Sequence, residues 1–514
     1  MPDSATDPEM PPANPPHGMP AIYDILVIGA GINGAGIARD ASGRGLSVLV
    51  MEAGDIARGT SSASTKLIHG GLRYLEHFEF ALVRESLAER ERLWKIAPHA
   101  VRPMRFVLPH RSGLRPRWLL RLGLFLYDHI GGRRKLPPTS TLDLRTHEAG
   151  KPLKHGFRTA FAYSDCWVDD ARMVVLNLRD AADRGATVLP HTPVAGLERA
   201  QGVWRIRAGN GTQYAARAVV NAGGPAVLDV LDLAGQRGSQ RMRLVRGSHI
   251  VVSRLFDHDF SYFFQLPDGR IFFAIPYEQD FTMIGTTDAD HSGSLTDIRP
   301  DAAEIAYLCE GANGYFRKQI TPADIVWSFA GVRPLIDDGS GRPEAATRGY
   351  RLDLSEAIEG APLLSVFGGK LTTYRHLAQS AIDLLASRIP ELAGPGWTDS
   401  VALPGGDFPM DGAAKLVEEL IAHYPFLQRG WAERLIASYG RRAWLVLGGA
   451  QGLQDCGVHF GHGLTACEVD YLIAQEWARK ADDILWRRSK LGLHLSAVQV
   501  ASLESYLGTK MGAS

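Results

Sequence analysis

The sequence predicts an α/β protein built on a doubly wound parallel sheet, with an inserted, mostly antiparallel β-sheet domain and a C-terminal helical domain. Three observations lead to this prediction. A glycine-rich turn joins an apolar strand to a helix near residue 30, similar apolar strands recur only far downstream, and the pattern beyond residue 410 is helical. Strands of one sheet that are scattered along a chain imply that another domain is inserted between them.

The first strand-turn-helix unit carries a G-x-G-x-x-G pattern at Gly29, Gly31 and Gly34. The first glycine permits a tight turn, the second lets the backbone approach a pyrophosphate, and the third lets the helix pack closely on the strand. A second apolar run ends at Glu52. A carboxylate there can accept hydrogen bonds from the ribose hydroxyls of an adenosine and would repel a 2′-phosphate. The unit is therefore predicted to be Rossmann-like, and NADP is disfavoured.

Further strands of this sheet are predicted at 187–189, 218–224 and 363–369. The inserted sheet is predicted from apolar runs at 248–253, 262–266 and 270–277, the last two joined by a Pro-Asp-Gly turn at 267–269. A helical pattern over 468–482, rich in Ala and Leu, indicates the C-terminal helical domain.

These patterns divide the chain into domains. Residues 1–20 are Pro-rich without an apolar stretch and predict a disordered tail, not a signal peptide. The dinucleotide-binding domain is predicted over 21–397, in segments of about 21–95, 160–235 and 325–397. It is interleaved with a substrate domain of about 96–159 and 236–324, and the helical domain covers 398–514.

Composition indicates a large soluble enzyme. The chain has 514 residues, of which 45% are hydrophobic and 22% charged, and its formal net charge is zero. No overall field attracts nucleic acid, so a nucleic-acid partner is not expected. The four cysteines lack C-x-x-C or Cys/His spacing, which predicts neither a disulfide framework nor a metal site. No apolar run reaches about 18 residues, so no membrane-spanning helix is predicted.

Residues 60–75 follow the ribose carboxylate and combine hydroxyl side chains, a glycine pair and three basic side chains. Such a segment can hydrogen-bond a pyrophosphate and a ring system, while Gly70 and Gly71 allow close approach. The alternative is a Ser-rich loop that caps the next helix.

Taken together, five motifs resemble the FAD-dependent, respiratory sn-glycerol-3-phosphate dehydrogenases. The motifs lie at 29–34 (G-A-G-I-N-G), 61–76, 163–172, 331–335 and 367–375, and the resemblance runs from about residue 21 to the end, including 481–488. The chain departs from the family at 221–226, which is N-A-G-G-P-A where members commonly have N-A-T-G-P-W. That difference alters packing near the cofactor without removing an obvious chemical group.

The resemblance implies FAD as the cofactor and oxidation of sn-glycerol 3-phosphate to dihydroxyacetone phosphate by hydride transfer from C2 to FAD. It also implies reoxidation by a membrane quinone. The residues expected around FAD are Gly29, Gly31, Asn33, Gly34, Glu52, Thr60, Ser61, Ser62, Ser64, Lys66, Leu67, His69, Gly70, Gly71, Ala222, Gly223, Gly369, Lys370, Leu371 and Thr372.

Oxidation of a secondary alcohol needs a group that takes the hydroxyl proton and a positive charge near the reacting oxygen. We assign Arg333 to that oxygen, with His249 and His69 as rival general bases. The expected substrate and phosphate binders are Arg73, Tyr74, Arg348 and Lys370.

Each of these residues has a simpler interpretation. His249 lies in an apolar strand and could be a structural donor, whereas His69 could only hydrogen-bond the flavin. Arg348 could be an ordinary loop charge, and Lys370 could serve the flavin instead of the phosphate.

Three alternative functions stay open. One is an oxygen-using flavin oxidase that acts on glycerol 3-phosphate or on an amine or amino acid. The cations Arg73, Arg333, Arg348 and Lys370 argue against an amino acid, because one carboxylate needs about one arginine. The others are a protein that holds FAD structurally and a flavin-dependent nucleic-acid modification factor. The sequence leaves the oligomeric state open, a homodimer included.

Residues 102–135 contain nine Lys or Arg residues and one acidic residue, Asp128, interleaved with apolar residues at 118–127. This pattern predicts contact with an anionic lipid surface, so that the protein is cytoplasmic and attached peripherally to the inner face of the membrane. A weaker candidate is the stripe Leu371, Tyr374, Leu377, Ala381, Leu384 and Leu385. In both places the alternative is ordinary core or a solvated charged face.

Overall fold

The computed structural model describes residues 21–111, 116–131, 135–238, 241–266, 269–336, 349–355 and 360–512. Its strands are β1 (Ile22–Ile28), β2 (Val48–Met51), β3 (Leu67–Ile68), β4 (Val101–Pro109), β5 (Ser140–Asp143), β6 (Thr159–Val168), β7 (Thr187–Leu189), β8 (Val194–Ala200), β9 (Val203–Ala208), β10 (Gln213–Asn221), β11 (Met242–Ser253), β12 (Ser261–Gln265), β13 (Ile271–Tyr277), β14 (Phe281–Gly285), β15 (Ala289–Asp290), β16 (Ile325–Ile336), β17 (Tyr350–Leu354), β18 (Leu363–Gly368), β19 (His459–Gly461) and β20 (Leu464–Thr465).

The helices are α1 (Ile32–Gly43), α2 (Phe80–Ile96), α3 (Arg117–Ile130), α4 (Asp170–Asp183), α5 (Val227–Leu233), α6 (Ala302–Tyr315), α7 (Tyr374–Ala386), α8 (Ala413–His423), α9 (Arg429–Tyr439), α10 (Ala443–Leu447), α11 (Ala466–Glu476) and α12 (Ala497–Gly512). Short 3-10 turns lie between several of them, for example at Leu72–His77. Among the described residues, we find no helix with the length and apolar character that crossing a membrane requires.

The first sheet is built on parallel strands that are distant in sequence. β18, β10, β1, β2 and β7 lie side by side in that order and run parallel. β17 pairs antiparallel with β18 at one edge, and the β8–β9 hairpin attaches to β10. The predicted strands near 187, 218 and 363 all belong to this sheet, which confirms the doubly wound α/β prediction.

Alternating side chains of β1 fill two layers of core. Ile25 and Val27 pack with α1, α4 and α7 on one face of the sheet. Leu26 and Ile28 pack on the other face with Trp204 of β9 and with α5. Because successive strand residues point to opposite faces, a strand segment that is covered on both sides is apolar on both, as residues 25–28 of β1 are.

The second sheet is mostly antiparallel, as predicted. Its strands follow the order β15-β11-β14-β13-β12-β4-β6-β3, with β16 paired to β11 and β5 to β6. The predicted pairing of β12 with β13 is present, while residues 267–268 of their turn lie outside the described part. β6 and β16 belong to this sheet, although the expected segments assign 160–168 and 325–336 to the dinucleotide-binding domain.

Helices cover both faces of the second sheet. α6 packs on one face against Ile250 and Val252 of β11. On the other face, α2 and α3 pack against Val251 of the same strand and against β4. α3 also contacts the 3-10 turn at Leu72–His77.

The C-terminal domain consists of α8–α12 and the small β19–β20 hairpin, packed around its own core. The helix predicted over 468–482 ends earlier, at Glu476, because Trp477 adopts a left-handed conformation (φ 57°) that closes it. A π-helical turn, Asp483–Arg488, follows.

The apolar stripe proposed as a second lipid-binding face proves to be core. Tyr374, Leu377, Ala381 and Leu385 are fully buried on α7, which packs against α1. The prediction for this stripe is therefore wrong, since periodicity alone does not indicate whether protein or lipid covers an apolar face. The predicted tail, residues 1–20, lies outside the described part of the chain.

Candidate active site

The glycine-rich turn lies at the carboxyl end of β1, beside the carboxyl end of β10. Gly29 has φ +102°, and a Cβ there would lie 2.6 Å from the carbonyl oxygen of Ala222. A Cβ at Gly34 would collide with the Gly29 carbonyl. Only glycine fits these two positions, so the start of α1 lies directly against the strand end. The first turn of a helix has N–H groups without intrahelical partners, which is where a pyrophosphate would bind.

Glu52 lies at the end of β2, next to this turn. Its Oε2 accepts a hydrogen bond from the Ala30 N–H and its Oε1 from the Gly54 N–H, both at 2.8 Å. Each oxygen keeps a lone pair for a ribose hydroxyl. The carboxylate therefore lies where the dinucleotide pattern predicts it.

The hydroxyl-rich segment crosses the same edge of the sheet. Ser61 Oγ accepts the N–H of Ile32, the first residue of α1, at 2.9 Å. Thr60 donates to the carbonyl of Val332 in β16 at 2.5 Å. The segment thus connects the pyrophosphate side of the first sheet to the second sheet. The alternative of a simple helix-capping loop does not account for these long-range bonds.

Lys66 is buried and is bound within the protein. Its Nζ donates to Asp170 at 2.7 Å and to the Ser62 carbonyl at 3.1 Å, while Ser64 Oγ donates to Asp170 at 2.7 Å. Burial lowers the pKa of Lys66, and Asp170 acts against that shift. Ser64 and the Lys66 ammonium therefore hold the segment in place, and backbone groups are left to meet a cofactor.

Residues 67–71 lead from this ion pair to the loop before α7. The His69 N–H donates to Thr372 Oγ1 at 3.3 Å, and Leu67 is buried in β3. Gly70 and Gly71 follow, with Gly71 at φ +76°. The segment thus lies beside the 369–372 loop, as the motifs require.

The loop before α7 contributes a second close approach. Asn33 of α1 donates to the Gly368 carbonyl at 3.1 Å, and a Cβ at Gly369 would lie 2.7 Å from the Asn33 amide nitrogen. Lys370 Nζ lies 3.9 Å from the ring centroid of Tyr74, a cation–π contact. Leu371 is partly buried against the core of the first sheet. Two predicted substrate binders, Tyr74 and Lys370, are thus neighbours.

The motif that departs from the family pattern also lies at this edge. The Ala222 N–H donates to the Ile28 carbonyl at 2.9 Å, and the Gly223 N–H to Asn221 Oδ1 at 3.2 Å. Ala222 is therefore packed against β1, beside the glycine-rich turn.

Arg333 lies on β16 opposite Val245 of β11. Its guanidinium binds the Asp288 carboxylate through Nη1 and donates to Thr286 Oγ1 through Nη2 at 3.0 Å. The side chain is 29% exposed. A Cβ at Gly247 would lie 2.5 Å from Nη2, so glycine makes room for this cation. Arg333 is fixed in position and can still donate to an added oxygen.

His249 lies on β11 and is 1% exposed. Its Nε2 is 3.0 Å from Thr65 Oγ1, and its ring stacks on Phe329 with centroids 4.8 Å apart. Among the described residues, Nδ1 has no hydrogen-bond partner. Burial, together with the nearby Arg333 and Lys66, lowers the pKa of His249 well below its usual value. The ring is neutral at neutral pH, as a general base must be.

Two predicted substrate binders cannot be located. The Arg73 side chain and the whole of Arg348 lie outside the described part of the chain.

Sequence analysis assigned no role to Asp165, Asp170, Asp288 or Thr286, which hold the site together. It placed Tyr127 among the apolar residues of the lipid-contacting segment, but Tyr127 is fully buried and bonded to Gly70 and Asp165. The acids of the 163–172 motif were a usable signal, because carboxylates in an otherwise apolar strand need partners. Asp288 and Thr286 carried no comparable signal.

A cleft of about 1690 Å³ opens elsewhere, between the second sheet and the C-terminal helices. None of the predicted site residues that the structure describes lines it. The site is therefore defined by the strand edge and its loops.

The residues at this edge suit FAD. The glycine-rich turn lets a pyrophosphate approach the start of α1, Glu52 offers two acceptors for a ribose, and the 67–71 and 369–372 loops face each other where a ring system would extend.

Comparison with known proteins supports this interpretation. Residues 24–375 match the family described as FAD dependent oxidoreductase, and residues 397–506 match the C-terminal domain of alpha-glycerophosphate oxidase. The chain is 52% identical over 491 residues to a glycerol-3-phosphate dehydrogenase of Pseudomonas aeruginosa, covering 95% of both proteins. It is 48% identical over 489 residues to a D-erythritol 1-phosphate dehydrogenase of Brucella abortus, covering 94% of this chain and 97% of that protein.

A crystal structure of the glycerol-3-phosphate dehydrogenase from Bacillus halodurans complexed with FAD is also similar. Its TM-score is 0.77 at 26% identity, covering 96% of this chain and 91% of that one. The family match and the FAD-bound neighbour identify FAD as the cofactor of this chain. Because these similarities extend over nearly the whole length, the chain belongs to the FAD-dependent glycerol-3-phosphate dehydrogenase family.

Proposed function

We propose that the protein oxidises sn-glycerol 3-phosphate to dihydroxyacetone phosphate. FAD supplies the hydride acceptor for the hydrogen on C2, and the hydroxyl proton passes to a base of the protein. The observation that carries the proposal is the group formed by Arg333, Asp288 and His249, a fixed cation beside a neutral imidazole next to the FAD site. The substrate is suggested by the names of the relatives.

Arg333 is proposed to hold the reacting oxygen. Its bonds to Asp288 and Thr286 fix the plane of the guanidinium, so little reorganisation is needed when negative charge develops on that oxygen. Lys370 and Tyr74 are proposed to bind the substrate, together with Arg73 and Arg348. Several cations suit a phosphate dianion better than a single carboxylate, which argues against an amino acid as substrate.

The general base is proposed to be His249 or His69. His249 has the neutral ring that proton transfer requires, and Nδ1 is its nitrogen without a hydrogen bond among the described residues. His69 lies beside Thr372 in the segment next to the cofactor. Replacing each with Gln separates them, because loss of the base lowers kcat by about 10²–10⁴-fold, whereas loss of a flavin contact changes mainly FAD retention.

A four-carbon substrate is the second candidate. The relative named D-erythritol 1-phosphate dehydrogenase is 48% identical, close to the 52% of the glycerol-3-phosphate dehydrogenase. Both substrates carry a phosphate, so the cations serve either one. Erythritol phosphate is one carbon longer, so the two substrates differ in the space that they need at the end remote from the phosphate.

Anaerobic mixing of the purified FAD-loaded protein with glycerol 3-phosphate tests the function. We expect the visible flavin band to bleach, faster than with D-erythritol 1-phosphate and not at all with glycine. Faster bleaching with the tetritol phosphate would reassign the substrate. A flavin that stays oxidised with both phosphates would contradict the proposal.

We further propose that a membrane quinone reoxidises the reduced flavin, being converted to the quinol. The supporting feature is the exposed face of α3, described next, which would bring the protein to the layer where quinones dissolve. Turnover with a soluble quinone analogue should exceed turnover with oxygen. If oxygen alone reoxidises the flavin at the rate of turnover, the protein is an oxidase.

α3 carries an unusual exposed face. Trp118, Leu119, Leu122 and Phe125 are between 41% and 67% exposed, and Arg117 and Arg121 lie among them. We call these six residues the docking face. Exposed Phe78 and Phe80 follow the 3-10 turn that packs on α3. Of the other predicted basic residues, Arg102 stacks on Trp167 and Arg105 binds Ser164, while Arg115, Arg133 and Arg134 lie outside the described part.

We propose that the docking face binds an anionic lipid surface. Large apolar side chains flanked by arginines suit the boundary between headgroups and acyl chains. Each cation near such a surface contributes about 1 kcal/mol, screened within a Debye length of about 8 Å at physiological salt.

Co-sedimentation with phosphatidylglycerol vesicles tests the docking proposal. Binding should be strong at low salt, weaker at high salt, and lost in the Arg117→Glu, Arg121→Glu double variant. The matched control is Arg205→Glu with Arg207→Glu on the distant β9, two exposed arginines whose loss should leave sedimentation unchanged. Equal recovery in the supernatant with neutral and anionic vesicles would refute the proposal.

A further inference from the structure

The inner face of α3 makes a direct bond to the segment beside the cofactor. Tyr127 lies on this face, opposite Phe125, and is fully buried. Its hydroxyl accepts the N–H of Gly70 at 2.8 Å and lies 2.8 Å from both oxygens of Asp165, to which it donates. The Tyr127 side chain therefore connects α3 to the backbone between His69 and Gly71.

Asp165 fixes this hydroxyl from the other side. Arg90 of α2 donates to Asp165 Oδ1 at 2.7 Å and to the Ser164 carbonyl at 2.9 Å. Both charged groups are almost completely buried. The Gly70 N–H, which donates to Tyr127, also donates to this Oδ1 at 3.4 Å. The carboxylate is thus held by β6 and α2, and Tyr127 connects it to α3.

Gly70 leaves no slack at this junction. A Cβ there would lie 2.8 Å from the Tyr127 hydroxyl and would collide with Leu87 of α2. The peptide is consequently packed between α2 and α3, so a shift of α3 relative to α2 would strain the Gly70–Tyr127 bond. On its other side, the neighbouring His69 N–H is bonded to Thr372.

We propose that Tyr127 and Asp165 are positioning residues that couple the docking face of α3 to segment 67–71, so that contact with an anionic lipid surface steadies the flavin-binding side of the active site. The coupling rests on the proposed docking of α3. A bound lipid surface favours the arrangement of α3 that buries its apolar face. The equilibrium of segment 67–71 shifts only as far as the surface binds that arrangement more tightly than the others. Opening of the Gly70–Tyr127 bond becomes rarer when α3 is held.

Hydrogen exchange measures this opening directly on the FAD-loaded protein. We expect phosphatidylglycerol vesicles to slow amide exchange of residues 67–75 several-fold in the wild-type protein. Tyr127→Phe removes only the hydroxyl, so exchange there should be about tenfold faster without vesicles, the effect of losing one hydrogen bond to a buried charged group. The vesicle effect should disappear in this variant although it still sediments with the vesicles.

Tyr262→Phe is the matched control. Tyr262 is also fully buried in the second sheet domain, and its hydroxyl donates to the Ala149 carbonyl at 2.6 Å, away from α3. Its loss should lower stability and leave both the vesicle effect and the visible circular dichroism of the flavin as in the wild-type protein. In Tyr127→Phe, the vesicle-induced change in that circular dichroism should be absent.

The outcomes separate the coupling from the docking. A wild-type protein that does not sediment with anionic vesicles overturns the docking proposal and the coupling with it. Sedimentation with unchanged exchange at 67–75 overturns the coupling alone, as does a Tyr127→Phe protein that keeps the full vesicle effect. If Tyr127→Phe does not fold, the wild-type comparison with and without vesicles decides, because unchanged exchange at 67–75 overturns the coupling and slower exchange supports it.

Discussion

The charged side chains of the site are held by partners that are far away along the chain. Lys66 binds Asp170. Arg333 of β16 binds Asp288, which lies between β14 and β15. Such pairs confine a cation to one orientation, at the cost of burying two charges. The Arg333 guanidinium stays partly exposed, which suits its proposed role at the reacting oxygen. For Lys66 the confinement serves structure, since the ammonium is fully enclosed.

At Glu52, a change to Gln should weaken FAD binding by at least about tenfold while the protein stays folded. One acceptor becomes a donor that faces the Ala30 or Gly54 N–H, and charge-assisted bonds of about 1.5–3 kcal/mol each are lost. FAD release on dialysis, followed by flavin fluorescence, measures the change. The control is Asp24→Asn, whose carboxylate accepts the N–H and the hydroxyl of Ser47 at the opposite end of the sheet. Equal FAD affinity in Glu52→Gln and wild-type protein would contradict the assignment.

At Arg333, a change to Ala should lower kcat and kcat/KM together by about 10²–10³-fold, because the group acts on charge that develops in the transition state. Arg348→Ala should mostly raise KM, as expected for a binder of the unchanging phosphate. Steady-state kinetics distinguish the two. Arg243→Ala is the control, since Arg243 pairs with Asp290 at 2.8 Å on the exposed edge of the same sheet. A variant of Arg333 that changes KM alone would exchange the two roles.

Two helices with similar apolar stripes behave differently. α3 turns Leu120, Leu124 and Tyr127 inward and leaves its other apolar face exposed, whereas the stripe of α7 packs on α1. The difference is that α7 lies in the layer covering the parallel sheet, between neighbouring helices. α3 lies at the outside of the second sheet domain, so one of its apolar faces packs against protein and the other is exposed.

The turn at Asp483–Arg488 joins the C-terminal domain to the FAD-binding sheet. Arg488 is completely buried and donates to the two oxygens of Asp55 at 2.6 and 2.7 Å. Burial acts to raise the pKa of Asp55, but Arg488 and Arg487 outweigh it and lower that pKa. Asp55 lies three residues after Glu52, so the Arg488–Asp55 ion pair lies beside the carboxylate proposed to bind the ribose. We call this ion pair the clamp.

Arg488→Lys should destabilise the protein even though the charge is kept. Lysine cannot reproduce the two-pronged contact with Asp55, and imperfectly paired buried charges cost several kcal/mol, about 3–5 when a partner is removed outright. Urea unfolding gives the change. The control is Arg442→Lys, whose interdomain partner Asp183 is partly exposed, so the loss should stay below about 1 kcal/mol. Equal losses in the two variants would show that the clamp contributes no more than a surface pair.

At the scale of the whole molecule, the sequence predicted what is encoded locally. β1, β2 and the strands near 187, 218 and 363 each show as a short apolar run, α1 follows the glycine-rich turn, and all were found. The long pairing of β11 with β16 was not predicted, and β6 and β16 were expected in the other domain. Antiparallel partners separated by about 80 residues carry no local mark of each other, since pairing depends on which faces are covered.

The site was predicted to a similar extent. Glycines that must accommodate a close approach, such as Gly29 and Gly34, follow from the motif, and so does Glu52. The partners of the motif residues do not. Asp288 comes from a loop to which sequence analysis gave no role. Tyr127 comes from a helix that was expected to contact lipid. Only the folded arrangement brings them to Arg333 and Gly70.

The whole protein should lose stability as the pH falls below about 6.5, because two histidines are buried in the neutral form. Burial, with Arg172 nearby, lowers the pKa of His99 to about 3, and burial also lowers that of His249. Between pH 6.5 and 3, the unfolded chain binds a proton at His99 that the native protein does not, so stability is complete above this window and falls within it. His99 lies at the junction with the C-terminal domain, beside Phe408 and Gly440.

Replacing His99 with Leu should therefore make the protein less sensitive to acid. One such histidine lowers the free energy of unfolding by about 2 kcal/mol between pH 7.5 and pH 5. The His99→Leu variant should lack this pH-dependent loss, even if it is less stable than the wild-type protein at both pH values. Urea unfolding at each pH gives the difference within each protein, which cancels the packing effect of the substitution. His155→Leu, at an exposed position, should keep the acid sensitivity of the wild-type protein. An equal loss on acidification in His99→Leu and wild-type protein would mean that His99 does not remain neutral in the folded state.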